Sequence, residues 1–239
     1  FFLCSSLIEA TIPSSVTSIN DQLFENCKSL EKVTILSSIK SIGHSSFNQC
    51  ILLKQIEIPS SVALIGSYAF NSCSSLTEIK IPSSLTKIDK CTFKDCISLV
   101  NVIIPDSVTF IGDHAFTNCT SLCEISISSS VTKIDDYAFS GCSSLTKILI
   151  PSSVIEIGKF VFNSCKMLNE IALSSSLKII GQCAFYGCSE LKEITIPPSV
   201  NRIDSSAFSS CNSLIKLTIP AKIQIQGLGC PKQTNITRY

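Results

Sequence analysis

The chain has 239 residues, of which 19 are basic and 18 are acidic, so its formal net charge is +1. A charge this close to zero, with only two arginines (Arg202 and Arg238), argues against nucleic acid as a partner. Although 45% of the residues are hydrophobic, no apolar run approaches the ~18–20 residues that span a bilayer, so we expect no membrane insertion within this sequence.

A cysteine recurs every 23 residues along the chain. A phenylalanine lies three residues before each of these cysteines and a leucine three residues after, as in Phe24, Cys27 and Leu30. Self-similarity at a fixed period indicates a solenoid, in which each repeat forms one coil stacked on the next. The ladder cysteines, as we call this column, are Cys4, Cys27, Cys50, Cys73, Cys96, Cys119, Cys142, Cys165, Cys188 and Cys211.

The first predicted element of a repeat is a strand at the Ile-x-Ile motif, for example at residues 79–81. Alternating apolar and polar residues are typical of a strand with one buried face. Proline follows this motif in seven of the ten repeats and ends the strand pairing because it has no N–H group. A shorter second strand is predicted at the Val-x-x-Ile motif, as at residues 62–65.

Two further patterns predict turns in the rest of each repeat. One column contains only Gly, Asn and Asp, as at Gly43, Gly66 and Asp89, and these residue types tolerate positive φ, so the column predicts a left-handed turn residue. The A-F-x-x-C motif places Ala and Cys four residues apart, which predicts a single helical turn with both side chains facing the core.

The repeat consensus A-F-x-x-C-x-S-L-x-x-I-x-I-P-x-S-V-x-x-I-G resembles that of the BspA-like leucine-rich repeat family. The S-V-x-x-I-G-x-x-A-F-x-x-C part of this motif stands complete at residues 61–73, and in-register copies cover residues 1–227. The resemblance implies a right-handed leucine-rich repeat solenoid with a parallel β-sheet on one face and short second strands and single helical turns on the others. It also implies a surface protein of bacteria or mucosal protists that adheres to host cells, matrix proteins or other microbes.

We expect one solenoid domain of about ten coils over residues 1–227. Residues 228–239 are expected to be a C-terminal cap or the start of another region, because Pro231 stands where phenylalanine is expected. The chain begins within a repeat at Phe1, so we expect it to be a fragment of a longer protein. An uncapped first coil exposes a sheet edge and an apolar face, which predicts self-association of uncapped ends.

The ladder cysteines are expected to be free thiols that fill the core. Stacked residues lie ~4.7–4.9 Å apart, too far for easy disulfide bridging, and a single column offers no tetrahedral zinc site. Off the ladder, Cys91 and His114 occupy one column in adjacent repeats, and a Cys–His pair can activate a thiolate. The pattern supplies no orienting residue or oxyanion hole, so we expect no catalytic site, metal site or cofactor.

The outward positions of the main strands form the candidate partner-binding face, because repeat proteins bind partners along such extended surfaces. Opposite charges in adjacent repeats equally support strand pairing, so both interpretations stay open. Neither outward column contains Trp, Tyr or Arg, which leaves Ile103 and Leu149 as the expected anchors. The candidate residues are Glu78, Lys80, Asn101, Ile103, Glu124, Lys147, Leu149 and Glu170.

Two functions remain open at this point. The resemblance implies a non-enzymatic adhesin or surface antigen at the cell surface or outside the cell, whose partners are proteins of host cells, matrix or microbes. The alternative is an intracellular, cytoplasmic protein-interaction scaffold, which the 14 cysteines favour because free thiols suit a reducing compartment.

Overall fold

The computed structural model describes residues 1–36 and 38–239, and its repeats stack as the coils of a parallel β-solenoid. The Ile-x-Ile motif forms the main strand of a coil because alternate side chains point into and out of the core. In the fifth coil, Val102 is buried and Ile103 is exposed. The main strands, numbered in chain order together with the second strands, are β1 (Glu9–Ile12), β3 (Lys32–Ile35), β5 (Gln55–Ile56), β8 (Asn101–Ile103), β10 (Glu124–Ser126), β12 (Lys147–Leu149), β14 (Glu170–Ala172), β16 (Glu193–Thr195), β18 (Lys216–Ile219) and β19 (Asn235–Arg238).

The second strands are two residues long, and each carries one side chain that packs into the core. Paired residues are one repeat apart in both sets, as in Glu9 with Lys32 and Ile157 with Ile180, and every pairing is parallel. The predicted solenoid, its parallel main strands and its short second strands are therefore confirmed. The second strands are β2 (Ser18–Ile19), β4 (Ser41–Ile42), β6 (Leu64–Ile65), β7 (Lys87–Ile88), β9 (Phe110–Ile111), β11 (Lys133–Ile134), β13 (Glu156–Ile157), β15 (Ile179–Ile180) and β17 (Arg202–Ile203).

The expected single helical turn at the A-F-x-x-C motif is wrong. This side of the solenoid is a ladder of tight turns, in which the Phe24 N–H donates to the Ser46 carbonyl of the next coil at 2.8 Å. The Cys27 N–H donates within its own coil to the Phe24 carbonyl at 3.0 Å. Alternate amides thus bond to the neighbouring coil instead of to a carbonyl four residues back. Within the described part of the chain, no helix is long and apolar enough to cross a bilayer.

The Gly/Asn/Asp column does not mark the left-handed residue, with the exception of Gly227 at φ +81°. Positive φ occurs instead two and six residues later in the coil, for example at Gln22 (58°) and Asn26 (60°). Five of the six glycines of the column, all except Gly227, lie where adjacent backbones approach closely: a Cβ on Gly66 would lie 2.6 Å from the His44 backbone nitrogen. The column is therefore constrained by the close approach of adjacent backbones and not, except at Gly227, by positive φ.

The core is a set of continuous side-chain columns that run along the solenoid. The phenylalanines that recur every 23 residues, from Phe24 to Phe208, are fully buried, and neighbouring rings stack with centroids 5.3–5.8 Å apart. The ladder cysteines from Cys27 onward are also fully buried. Because each ring contacts the rings of two neighbouring coils, no coil completes its own core, and stability depends on stacking.

The chain ends in a shortened coil. Strand β19 pairs in parallel with β18, and Asn235 lies opposite Lys216, so this coil is 19 residues long (235 − 216) where the others have 23 (32 − 9). The Leu228 side chain is buried, and its carbonyl accepts a hydrogen bond from the Phe208 N–H at 2.9 Å. Residues 228–239 therefore extend the main sheet by one strand.

Candidate functional site

The ladder thiols have a structural role that the sequence pattern did not reveal. Nine of them donate a hydrogen bond to a phenylalanine carbonyl of the preceding coil, with sulfur–oxygen distances of 3.0–3.2 Å. Burial raises the pKa of the Cys142 thiol to about 12, so at neutral pH it is protonated and a poor nucleophile or metal ligand. All 14 cysteines are free, which agrees with the core interpretation of the ladder.

Cys91 and His114 each interact with other residues. Cys91 is buried and its thiol interacts with the Tyr68 hydroxyl, and burial raises the pKa of that thiol. The His114 Nδ1 atom lies 2.6 Å from the Asp113 Oδ1 atom, and its ring stacks on Tyr137 at 4.4 Å. Across residues 1–36 and 38–239, no group of three or more His, Cys, Asp or Glu side chains is arranged to hold a metal ion.

The main sheet face presents all eight candidate residues to solvent. Outward and inward side chains alternate along each main strand, so Glu124 is exposed and Ile125 is buried. The parallel register sets the candidates side by side, with Glu124 opposite Asn101 and Lys147 opposite Glu170. The remaining candidates are also exposed, namely Glu78, Lys80, Ile103 and Leu149. Whether a partner binds this face stays a prediction.

Ile103 and Leu149 are the most exposed large apolar side chains on the main strands, at 73% and 66% of their full accessible surface. They share one outward column, in which Lys80 precedes Ile103, Ser126 lies between the two and Ala172 follows Leu149. Apolar side chains displayed on a sheet of fixed spacing are suited to anchoring a partner, because burying each one is favourable by about 2 kcal/mol.

Opposite charges across this face form exposed ion pairs. The Lys54 Nζ lies 2.7 Å from a Glu31 carboxylate oxygen, and Lys147 lies 4.0 Å from Glu124. Such pairs contribute little to stability because both groups remain hydrated. These contacts are consistent with a role in strand pairing and do not by themselves indicate a partner.

The main sheet is interrupted at several places, which the repeat pattern did not predict. Its strands form four hydrogen-bonded groups. These are β1, β3 and β5; β8 and β10; β12 and β14; and β16, β18 and β19. The fourth coil contributes only an isolated bridge between Glu78 and Asn101. The second strands are interrupted at the same boundary, between β6 and β7. The third and fourth coils are therefore joined to each other by fewer backbone hydrogen bonds than most other pairs of adjacent coils.

A groove of about 1150 Å³ lies at this interruption. Its lining comes from three consecutive coils, residues 55–60, 77–83 and 100–105, and we call it the coil 3–5 groove. Four of the candidate residues line it: Glu78, Lys80, Asn101 and Ile103. A volume of this order matches or exceeds that of typical ligand sites, about 300–1,000 Å³.

A second groove, of about 550 Å³, lies at the interruption between β14 and β16. Glu170 and Tyr239 are among its lining residues. The Tyr239 hydroxyl donates a hydrogen bond to the Ile196 carbonyl, which fixes the aromatic side chain beside the main sheet. Sequence reasoning missed Tyr239 because it lies outside the repeat columns.

The family model described as BspA type Leucine rich repeat region matches the chain in six copies, over residues 1–123 and 109–237. These ranges cover nearly all of the solenoid. No curated protein matches the chain significantly.

Several solved structures are similar to the chain over almost its full length. A leucine rich cell surface protein from Faecalibacterium prausnitzii is 29% identical, with 97% of this chain and 79% of that chain covered and a TM-score of 0.53. A leucine-rich repeat protein from Eubacterium ventriosum is 27% identical, with coverages of 96% and 66% and a TM-score of 0.64. The pneumococcal vaccine antigen PcpA shares the fold at 23% identity, with coverages of 96% and 73% and a TM-score of 0.62.

Proposed function

We propose that this chain, which belongs to the BspA-type leucine-rich repeat family, is a non-enzymatic protein-binding domain of a cell-surface adhesin or surface antigen. Its main sheet face would contact proteins of host cells, of the extracellular matrix or of other microbes. The observation that carries the proposal is the exposure of Ile103 and Leu149 on the main sheet of a repeat solenoid.

The chemistry of the face supports binding by contact rather than catalysis. Its outward residues combine two apolar side chains with charges of both signs, a mixture suited to protein interfaces with an apolar centre and a polar rim. The ladder thiols from Cys27 onward are buried, and burial raises the pKa of the Cys142 thiol to about 12, so that it is protonated at neutral pH. Leucine-rich repeat solenoids are typically non-catalytic, and function in them depends on the displayed surface.

The cell-surface location is proposed from the relatives. The protein from F. prausnitzii is described as a leucine rich cell surface protein. The identity is 29% over 97% of the present chain and 79% of the F. prausnitzii chain, and we extend the cell-surface location to the present chain as part of the proposal.

The second candidate function is an intracellular protein-interaction scaffold. It is favoured by the 14 free cysteines, because thiols persist most readily in a reducing compartment. The buried ladder offers an alternative explanation, since thiols enclosed between coils are shielded from oxidants wherever the protein resides.

Two measurements test the proposal. The purified chain should bind saturably to at least one member of a panel of host epithelial cells, matrix proteins and co-resident bacteria. An antibody against the chain should label intact source cells before permeabilisation. Absence of binding across the panel, or labelling only after permeabilisation, would contradict the surface-adhesin proposal, and the second result would favour the scaffold.

A further inference from the structure

The coil 3–5 groove contains main-chain groups that have no partner within the described residues. In three other coils the residue after the main strand donates its N–H to the next coil: Ile104 to Ser126 at 2.9 Å, Ile150 to Ala172 at 2.9 Å and Ile196 to Thr218 at 2.8 Å. The equivalent bonds from Ile58 to Lys80 and from Ile81 to Ile103 are absent from the described part of the chain, as are those from Ile127 to Leu149 and from Leu173 to Thr195 at the other interruptions of the main sheet.

The groove is lined by Ile58, Lys80, Ile81 and Ile103. Main-chain N–H and C=O groups strongly favour hydrogen bonding, and those left unpaired in a cleft are available to water or to a ligand. An extended peptide presents alternating N–H and C=O groups of its own, which is how peptides add to open sheets. The groove therefore offers the main-chain half of a peptide-recognition site.

Two opposite charges in adjacent coils also line the groove. Glu57 and Lys80 occupy one outward column in adjacent coils, where the regular register would set them directly opposite, as it sets Thr195 opposite Thr218. Some adjacent opposite charges on this face pair, as Lys147 does with Glu124 at 4.0 Å, whereas Glu9 and Lys32 lie opposite each other without forming an ion pair among the described residues. Among the residues that the structure describes, neither Glu57 nor Lys80 takes part in an ion pair.

Apolar side chains of the fifth coil also line the groove. Ile103 exposes 73% of its surface and Val100 exposes 39%, and both line the groove. Pro82 and Pro105 also line it. A ligand side chain of aliphatic or aromatic character would cover this wall and remove water from it.

We propose that the coil 3–5 groove binds an extended peptide segment of a partner protein. The peptide main chain bonds to the free groups of Ile58, Lys80 and Ile81, and an apolar side chain packs against Ile103. A basic and an acidic side chain of the peptide pair with Glu57 and Lys80. This inference rests on the proposed protein-binding function and names the class of partner segment that one part of the main sheet face takes.

The test begins with a phage-displayed library of random linear peptides, panned against the complete 239-residue chain. Enriched peptides should share an apolar residue with flanking basic and acidic residues. Affinities of a synthetic consensus peptide are then measured for the wild-type chain and for three groove variants, Ile103→Asp, Glu57→Lys and Lys80→Glu. Each variant should weaken binding by about tenfold or more, as expected at contacts central to an interface.

Ile155→Asp is the matched control, because Ile155 is an apolar residue that is 58% exposed and does not line the groove. It should leave the peptide affinity unchanged. The four substituted residues are exposed, so each variant should keep the thermal midpoint of the wild type. A peptide with its two charges reversed should recover affinity for the double variant Glu57→Lys/Lys80→Glu, a result that a general loss of structure does not produce.

Amide hydrogen exchange supplies an independent readout. In the free chain the Ile58 and Ile81 amides should exchange faster than those of Ile104, Ile150 and Ile196, and saturating peptide should slow the first two selectively. Failure to enrich any peptide, or equal affinity for wild type and Ile103→Asp, would overturn the groove proposal. If the chain nevertheless binds host cells, the proposed function stands without this groove; if cell binding also fails, the proposed function fails with it.

Discussion

The Cys119 thiol donates a hydrogen bond to the Phe93 carbonyl of the preceding coil, at a sulfur–oxygen distance of 3.1 Å. The same carbonyl accepts the Cys96 N–H at 3.3 Å. The cysteine therefore links one coil to the next through a side chain small enough to fit between the stacked columns, and it contributes a weak donor that alanine or valine lacks.

Substitution of Cys119 should separate its packing from its hydrogen bond. Cys119→Ala should lower the free energy of unfolding by about 1–3 kcal/mol, because it removes both buried volume and the donor. Cys119→Ser, which keeps a donor, should lower it less, and urea denaturation measures both. Full stability of Cys119→Val, which fills the space without a donor, would show that the sulfur acts only as filler.

The buried thiols make stability fall at alkaline pH. Burial raises the pKa of Cys142 and Cys211 from an ordinary value of 9.0 to about 12 in the folded chain. The unfolded chain loses these protons first, so unfolding releases protons and stability declines progressively from about pH 9 to pH 12. Denaturation midpoints across this range should show the decline, and Cys142→Ala should make it shallower; a flat profile would contradict the account.

Phe116 should be far more important for stability than its neighbour in sequence Phe110. Phe116 is fully buried between Phe93 and Phe139, with ring centroids at 5.3 and 5.6 Å. Phe116→Ala should cost about 3–5 kcal/mol because it opens a cavity inside the array. Phe110 is half-buried beneath the Lys133 ammonium, so Phe110→Ala should cost about 1 kcal/mol. Similar thermal midpoints for the two variants would contradict the core assignment.

Gly66 and Gly187 should respond differently to alanine. A Cβ on Gly66 would meet backbone atoms at 2.6–2.9 Å, whereas Gly187 has φ +71° and meets its nearest atoms at 3.6 Å. Gly66→Ala should therefore cost about 1–3 kcal/mol through overpacking, and Gly187→Ala about 1 kcal/mol through its backbone conformation. Calorimetric midpoints measure both losses, and a larger loss for Gly187→Ala would contradict the expectation that close backbone approach costs more than the left-handed conformation.

The fold could be predicted because a 23-residue period makes every coil equivalent, so burial read in one repeat applies to the others. The helical turn could not be distinguished from the observed turn ladder, because both geometries bury Ala69 and Cys73. The left-handed interpretation of the Gly/Asn/Asp column was wrong for a similar reason, since positive φ and close backbone approach both favour glycine.

The candidate site was only partly predictable. Alternation along the strands placed Ile103 and Leu149 on the exposed face, where they lie. The groove was not predictable, because the fourth coil reads Glu-Ile-Lys-Ile at residues 78–81 and fits the consensus as well as Glu-Ile-Thr-Ile at residues 193–196. Whether adjacent main strands pair depends on how successive coils stack. A repeat consensus describes all coils alike and therefore does not indicate where the stacking differs.

The most direct measurement of the central claim is the binding of the labelled chain to host epithelial cells, compared between two variants. The double variant Ile103→Asp/Leu149→Asp alters the main sheet face, and Ile155→Asp alters a residue that is 58% exposed on another side of the coil. We predict that the double variant binds about tenfold more weakly or not at all, while Ile155→Asp binds as the wild type does. Unchanged binding of the double variant, or an equal loss in both, would contradict the claim that the main sheet face recognises the partner.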